Sequence, residues 1–144
     1  MYHKNKYDRN VNMLIPHLHF CGDCEEAITL YEKAFNTKVS EIVRNHDYAP
    51  NEYAEDTQIA HASMKIHGQT VFLNDYEFFA NKENSSNFPM HLIIQFQTAK
   101  ELLACYEVLK NDNATDYPFE KTSYSELVGN FADKFGMWWG FMVM

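Results

Sequence analysis

The chain has little of what several large classes of protein require. Among its 144 residues stand 12 Lys and Arg against 20 Asp and Glu, a formal charge of −8, and no basic run or basic-aromatic stripe occurs. Phosphate backbones are held by clustered Lys and Arg, so a nucleic-acid partner is not expected. No apolar run approaches the roughly 20 residues of a membrane span, so no membrane role is expected either. Three cysteines are too few for a disulfide scaffold, and with no signal-like start they fit a cytoplasmic protein. The five glycines form no Gly-rich loop after a strand, which argues against a nucleotide-like cofactor. What is abundant is apolar: 46% hydrophobic and 15% aromatic residues, enough to bury a real core. The partner is then a small molecule or another protein.

Chemistry is densest in HLHFCGDC, where His17, His19, Cys21 and Cys24 fall within eight positions. The stretch suggests a zinc site or a CxxC redox pair. The surrounding pattern suggests something plainer. MLIPHLHF alternates Leu18 and Phe20 against His17 and His19, as a strand does, with Pro16 marking an edge or a strand start. Asp23 stands three residues before Glu26, the pattern of a capping box, and Ala27, Ile28, Tyr31, Ala34 and Phe35 follow at helical spacing. A helix is predicted from there to Asn36. A CxxC between strand and helix imitates a thioredoxin-type thiol, but a carboxylate beside it disfavours a thiolate, and Asp23 has an ordinary capping task. Cys105 reads as a core thiol.

Residues 1–12 read as a flexible N-terminal arm and 13–80 as a first module. KVSEIVRN, TQIAHASMKIH and QTVFLND are predicted strands, with a tight turn at Gly68 and a polar loop from Asp47 to Asp56. NKENSSNFP, residues 81–89, reads as a linker. Then the order recurs over residues 90–144: MHLIIQFQ alternates Leu92, Ile94 and Phe96 against His91, Ile93 and Gln95, and an amphipathic helix follows. CEEAITLYEKAF from Cys24 and AKELLACYEVLK from Ala99 align without a gap, Tyr31 on Tyr106 and Glu32 on Glu107. An offset of 75 residues joined to the same strand-to-helix order points to internal duplication.

IPHLHFCGDCEEAITLYEKAF, HASMKIHGQTVFLND and the closing DKFGMWWGF together resemble the vicinal-oxygen-chelate superfamily, and within it the PhnB-like branch. The resemblance implies an α+β fold: two βαβββ modules forming a cupped mixed sheet with helices outside, the glyoxalase/bleomycin-resistance/dioxygenase fold. It also implies a small-molecule ligand in the cup between modules, and a homodimer. Metal-dependent members place four His or Glu ligands there, converging on an ion whose remaining coordination is open to substrate. In this chain those positions fall on Pro16 or its neighbour His17, on Phe72, on His91 and on Gly140. Proline, phenylalanine and glycine cannot ligate through side chains, so no cofactor and no metal are expected. The branch often bears a demethylubiquinone methyltransferase name, which nothing in the sequence supports.

The ligand-binding residues expected are His17, His19, His61, Phe72, His91, Gln95 and Trp139, lining a cup for an apolar or aromatic molecule. Alternation lets only one of Trp138 and Trp139 face that cup, and the loop from Asp47 to Asp56 could cover it. Catalytic residues are left unassigned. Two enzymatic alternatives stand beside the binding module: a metal-independent lyase or isomerase using His91 or His17 as acid/base, and a thiol redox protein using Cys21 and Cys24.

Overall fold

A computed structural model of the chain describes residues 12–52, 54–77, 90–114 and 116–144. The linker expected at 81–89, and the arm at 1–12 apart from Asn12, lie outside the described residues. The first strand-to-helix passage sets the pattern of the fold. β1 (His17–Phe20) runs into a three-residue turn with Gly22 at φ +89, then into α1 (Cys24–Ala34). Ala27, Ile28, Tyr31 and Phe35 are buried on one helix face, as their spacing requires. Asn36, at φ +48, ends the helix in the left-handed conformation.

The helix start differs from expectation. Asp23 occupies the N-cap position, but its side chain makes no capping hydrogen bond. Asp75, from the strand beside β1, does that task instead. Its Oδ1 accepts from the Gly22 and Cys24 amides at 2.9 and 3.0 Å, and its Oδ2 from the Ile59 amide at 3.0 Å. A carboxylate at a helix N-terminus satisfies orphan amides and the helix dipole, wherever in the chain it originates.

Four strands form the first sheet, with β2 (Val39–Arg44), β3 (Ile59–Ile66) and β4 (Gln69–Asp75) in the order β1-β4-β3-β2. β1 runs parallel to β4; the other pairs are antiparallel. A short helix α2 (Asn45–Tyr48) follows β2 within the polar loop. His67 and Gly68, at φ +47 and +79, make the two-residue turn between β3 and β4; two positive φ values match the right-handed twist of a hairpin.

The second sheet repeats this plan with β5 (Leu92–Phe96), α3 (Ala99–Leu109), β6 (Leu127–Ala132) and β7 (Trp138–Val143), in the order β5-β7-β6. β5 is again parallel to β7. α3 starts at Ala99 as α1 starts at Cys24, the offset the duplication requires, but here Thr98 caps locally by accepting from the Glu101 amide at 3.2 Å. The fourth strand expected in this half is reduced to one bridge between Glu120 and Val128. Pro118 has no amide to continue a ladder. It also crosses so close to β6 that a Cβ on Gly129 would lie 2.4 Å from the Pro118 carbonyl oxygen.

Alternation gives each sheet a helix side and an outer side. Phe20, Ala62, Met64, Val71 and Leu73 of the first sheet share one core with Ile94, Phe96, Trp139, Phe141 and Val143 of the second. α1 packs on α3, and Tyr31 touches both Phe20 and Trp139, at ring-centroid separations of 6.3 and 5.6 Å. Beneath them Asp133 is buried. Its Oδ2 accepts from the Tyr31 hydroxyl at 2.6 Å and Trp139 Nε1 at 3.0 Å, and its Oδ1 from the Phe135 and Met137 amides. With Gly136 at φ +85 closing the turn, these bonds are the physical content of DKFGMWW. Among the described residues no helix is long and apolar enough to cross a membrane.

Candidate functional site

The outer side of the first sheet gathers four of the expected residues. His17 stands opposite Phe72 in the register, and His19 opposite Asn74. Phe72 is flanked edge-on by His17 and by His61, at centroid separations of 5.9 and 4.8 Å. The rings of His17 and His19 lie 4.3 Å apart. His19 Nδ1 is 2.6 Å from Asn74 Oδ1, so with the amide oxygen accepting, Nδ1 carries the proton and the Asn74 NH₂ is left as a donor. Sequence reasoning missed Asn74, although its spacing of two from Phe72 places it on the same face.

Partial burial, then the neighbouring His19 and His61, lower the His17 pKa to about 4 from an ordinary 6.5. His17 is therefore neutral at pH 7, while an unfolded chain binds a proton there below pH 6.5. Stability from this residue is accordingly full above about pH 6.5 and is lost as pH falls toward 4. His17→Gln should lose less melting temperature than the parent between pH 7 and pH 5. Equal losses in a pair of thermal melts would contradict the reading.

On the second sheet His91, just before β5, precedes Ile93 and Gln95 on the outer face, with Gly140 of β7 and Asn130 of β6 in the row opposite Ile93. A Cβ at Gly140 would lie 2.8 Å from His91 Cδ2 and 3.0 Å from both His91 Nε2 and Asn130 Oδ1. The His91 ring thus lies over Gly140, in the space a longer side chain there would need. Trp139 is a correction. It is 1% exposed and packs on Tyr31 and Phe35 on the helix side, whereas Trp138, 55% exposed, is the tryptophan of the outer face. The helix-side row Leu92–Trp139–Phe131 fixes that choice by register.

The register also tests the metal positions. Phe72 pairs with His17, and Gly140 pairs with Ile93. Turns of three and two residues lead into α1 and α3. An ungapped comparison of the helices therefore shifts the strands by one: His17 corresponds to Ile93, and the counterpart of His91 is Ile15. Of the four positions only His91 retains a ligating side chain. Among the described residues no group of three or more His, Cys, Asp or Glu could hold a metal ion, so the side chains do not fit the family's metal centre.

Two further expectations meet the structure here. Cys21 is exposed and Cys24 is buried; burial first, then Asp75 and Glu25, push the Cys24 thiol far above its usual range. A buried, protonated Cys24 gives the redox reading no support. The polar loop after β2 is pinned at its stem, where the Asn45 and His46 amides donate to the Gln58 and Asp56 carbonyls at 2.8 and 3.0 Å. Arg44, at the same stem, pairs with Glu25 at 2.9 Å.

Two mixed sheets, each opening on a strand-to-helix passage and joined through their helix sides, define the glyoxalase/bleomycin-resistance/dioxygenase fold. Solved structures agree. A putative 3-demethylubiquinone-9 3-methyltransferase, PhnB protein, from Bacillus cereus superposes with a TM-score of 0.75 at 23% identity, over 92% of this chain and 100% of that one. A bleomycin-binding protein complexed with bleomycin gives a TM-score of 0.57 at 11% identity, over 93% of this chain and 99% of that one. Protein YjdN of Escherichia coli (strain K12) is 26% identical over 137 residues, 88% of this chain and 91% of that protein. The family model described as 3-demethylubiquinone-9 3-methyltransferase matches residues 12–142, and the chain belongs to that family; its fold is the one that the vicinal-oxygen-chelate resemblance implies.

Proposed function

We propose that this chain binds a small apolar or aromatic molecule, without a bound metal, in a cup between the outer faces of its two kinds of sheet. The observation that carries the reading is the lining. Aromatic, apolar and hydrogen-bonding side chains mix on both faces, as they do in ligand sites, and the second face leaves Ile93 63% and Trp138 55% exposed. Large apolar side chains held in water on one face mark a surface that something covers. The bleomycin complex of a structural relative supports a small-molecule ligand for this fold.

In the proposed arrangement a second copy completes the cup, the β1-β4-β3-β2 face of one protomer meeting the β5-β7-β6 face of its partner. The support is that the two sheets of one chain do not pair and share a core through their helix sides. His17, neutral and a weaker base than an ordinary imidazole, favours binding over proton transfer.

Light scattering should give about twice the 16.9 kDa chain mass, and Trp138→Glu should reduce it to one chain mass while circular dichroism shows the chain still folded. A monomeric parent, or a dimer indifferent to Trp138→Glu, would overturn the shared cup. Stoichiometric zinc, nickel or iron that survives dialysis, read by plasma spectrometry, would overturn the metal-free part.

A further inference from the structure

The kinds of polar group on the two outer faces narrow the ligand of the cup proposed above, and the inference rests on that cup. Four of the chain's seven histidines lie on these faces: His17, His19 and His61 on the first, His91 on the second. Beside them the first face carries the Asn74 amide and Lys65, whose Nζ donates to Thr70 Oγ1 at 2.8 Å. The second adds Gln95 and Asn130. All of these groups carry N–H donors, that of His19 being committed to Asn74 and one of Lys65 to Thr70. Among the described residues, carboxylates occur only at the rims of these faces. Glu41 lies on the outermost strand of the first sheet, opposite Ser63, and Glu120 lies beyond β6, opposite Val128. The strands that would floor the cup, β1, β4 and β3 on one wall and β5, β7 and β6 on the other, present none on their outer faces.

Phe72 and Gly140, one on each face, add to this. Phe72 puts an aromatic ring between two imidazoles, and at Gly140 the His91 ring lies over the backbone. A cation taken out of water is held most strongly by a carboxylate, and these floors offer none. An anion needs N–H donors, and these floors offer one on every strand, that of β7 being the indole Nε1–H of Trp138. Flat rings at Phe72 and Trp138 favour a flat ligand body.

We infer that the ligand is a planar aromatic anion, its ring lying against Phe72 and Trp138 and its carboxylate or equivalent oxyanion held by imidazole and amide N–H groups that include Asn74. The organic anion is recognised by the absence of like charge on these floors as much as by the donors.

The test uses three probes of one shape: 2-naphthoate, 2-naphthamide and 2-naphthylmethylammonium, titrated calorimetrically into the full chain at pH 7. The carboxylate is expected to bind at least about tenfold tighter than the amide, with the ammonium weaker still. Asn74→Ala should reduce the carboxylate-to-amide ratio toward one. An amide or ammonium that binds as tightly as the carboxylate overturns the anion inference and leaves the cup standing. An Asn74→Ala variant that keeps the full ratio removes Asn74 from the site and overturns the inference as stated. Failure of all three probes to bind overturns both.

Discussion

Asp133→Ala is expected to lower the unfolding free energy by about 3–5 kcal/mol, because it strands several buried donors at once. The Tyr31 hydroxyl and Trp139 Nε1 both donate to one carboxylate oxygen, and the Phe135 and Met137 amides donate to the other. Asp133 itself is 2% exposed. Burial raises its pKa, and the four hydrogen bonds oppose that rise. The bonds join α1 of the first half to the β6–β7 turn of the second, so their loss reaches both halves of the core. Tyr31→Phe removes one donor and leaves the acceptor with three others, and should cost about 1–2 kcal/mol. Urea unfolding at pH 7 compares the variants. An Asp133→Ala loss below that of Tyr31→Phe would mean that the carboxylate does not organise this junction.

The second large effect is expected at Asp75→Ala, about 2–4 kcal/mol in the same experiment, since it orphans three amides in one step. Gly22 and Cys24 lie at the start of α1, and Ile59 begins β3, so the side chain ties a turn, a helix and a strand together. Asp23→Ala serves as the contrast. Its side chain makes no capping bond, and its replacement should cost well under 1 kcal/mol, against the ~1 kcal/mol typical of a working cap. Reversal of that order would restore the local capping box that the sequence suggested.

The comparison of Asp23 with Asp75 shows where the sequence is legible. Local signals carried through: the alternation of MHLIIQFQ fixed which side of β5 faces the helices, Asn36 marked a helix end, and the ungapped match of two helices located the repeat. Long-range choices did not. Asp75 becomes a cap only because β4 lies beside β1, a fact of strand order rather than of neighbouring residues. Trp138 and Trp139 could not be told apart, because WWGFMV is apolar or glycine at every position and carries no period of two. Pairing with Leu92 and Phe131 turns Trp139 inward. The comparison of the two first strands slipped for a similar reason. A turn one residue longer before α1 reverses strand faces when the helices are aligned, which made Pro16 and His17 look like the counterparts of His91.

For the site, the residue types were readable and their grouping was not. His17, His19, His61 and Phe72 come from three strands and meet only once β1, β4 and β3 are in register. Asn74 carried a weak signal, its parity with Phe72. Asn130 and the contact of His91 with Gly140 depend on the β6–β7 pairing and the path of the chain before β5.

Amide chemical-shift mapping during titration with 2-naphthoate tests the cup most directly. Saturable changes are expected together at His17, His61, Phe72 and Asn74 on one sheet and at His91, Ile93, Asn130 and Trp138 on the other, with one affinity for all of them. Changes confined to one sheet, or centred away from both outer faces, would contradict a cup shared between them.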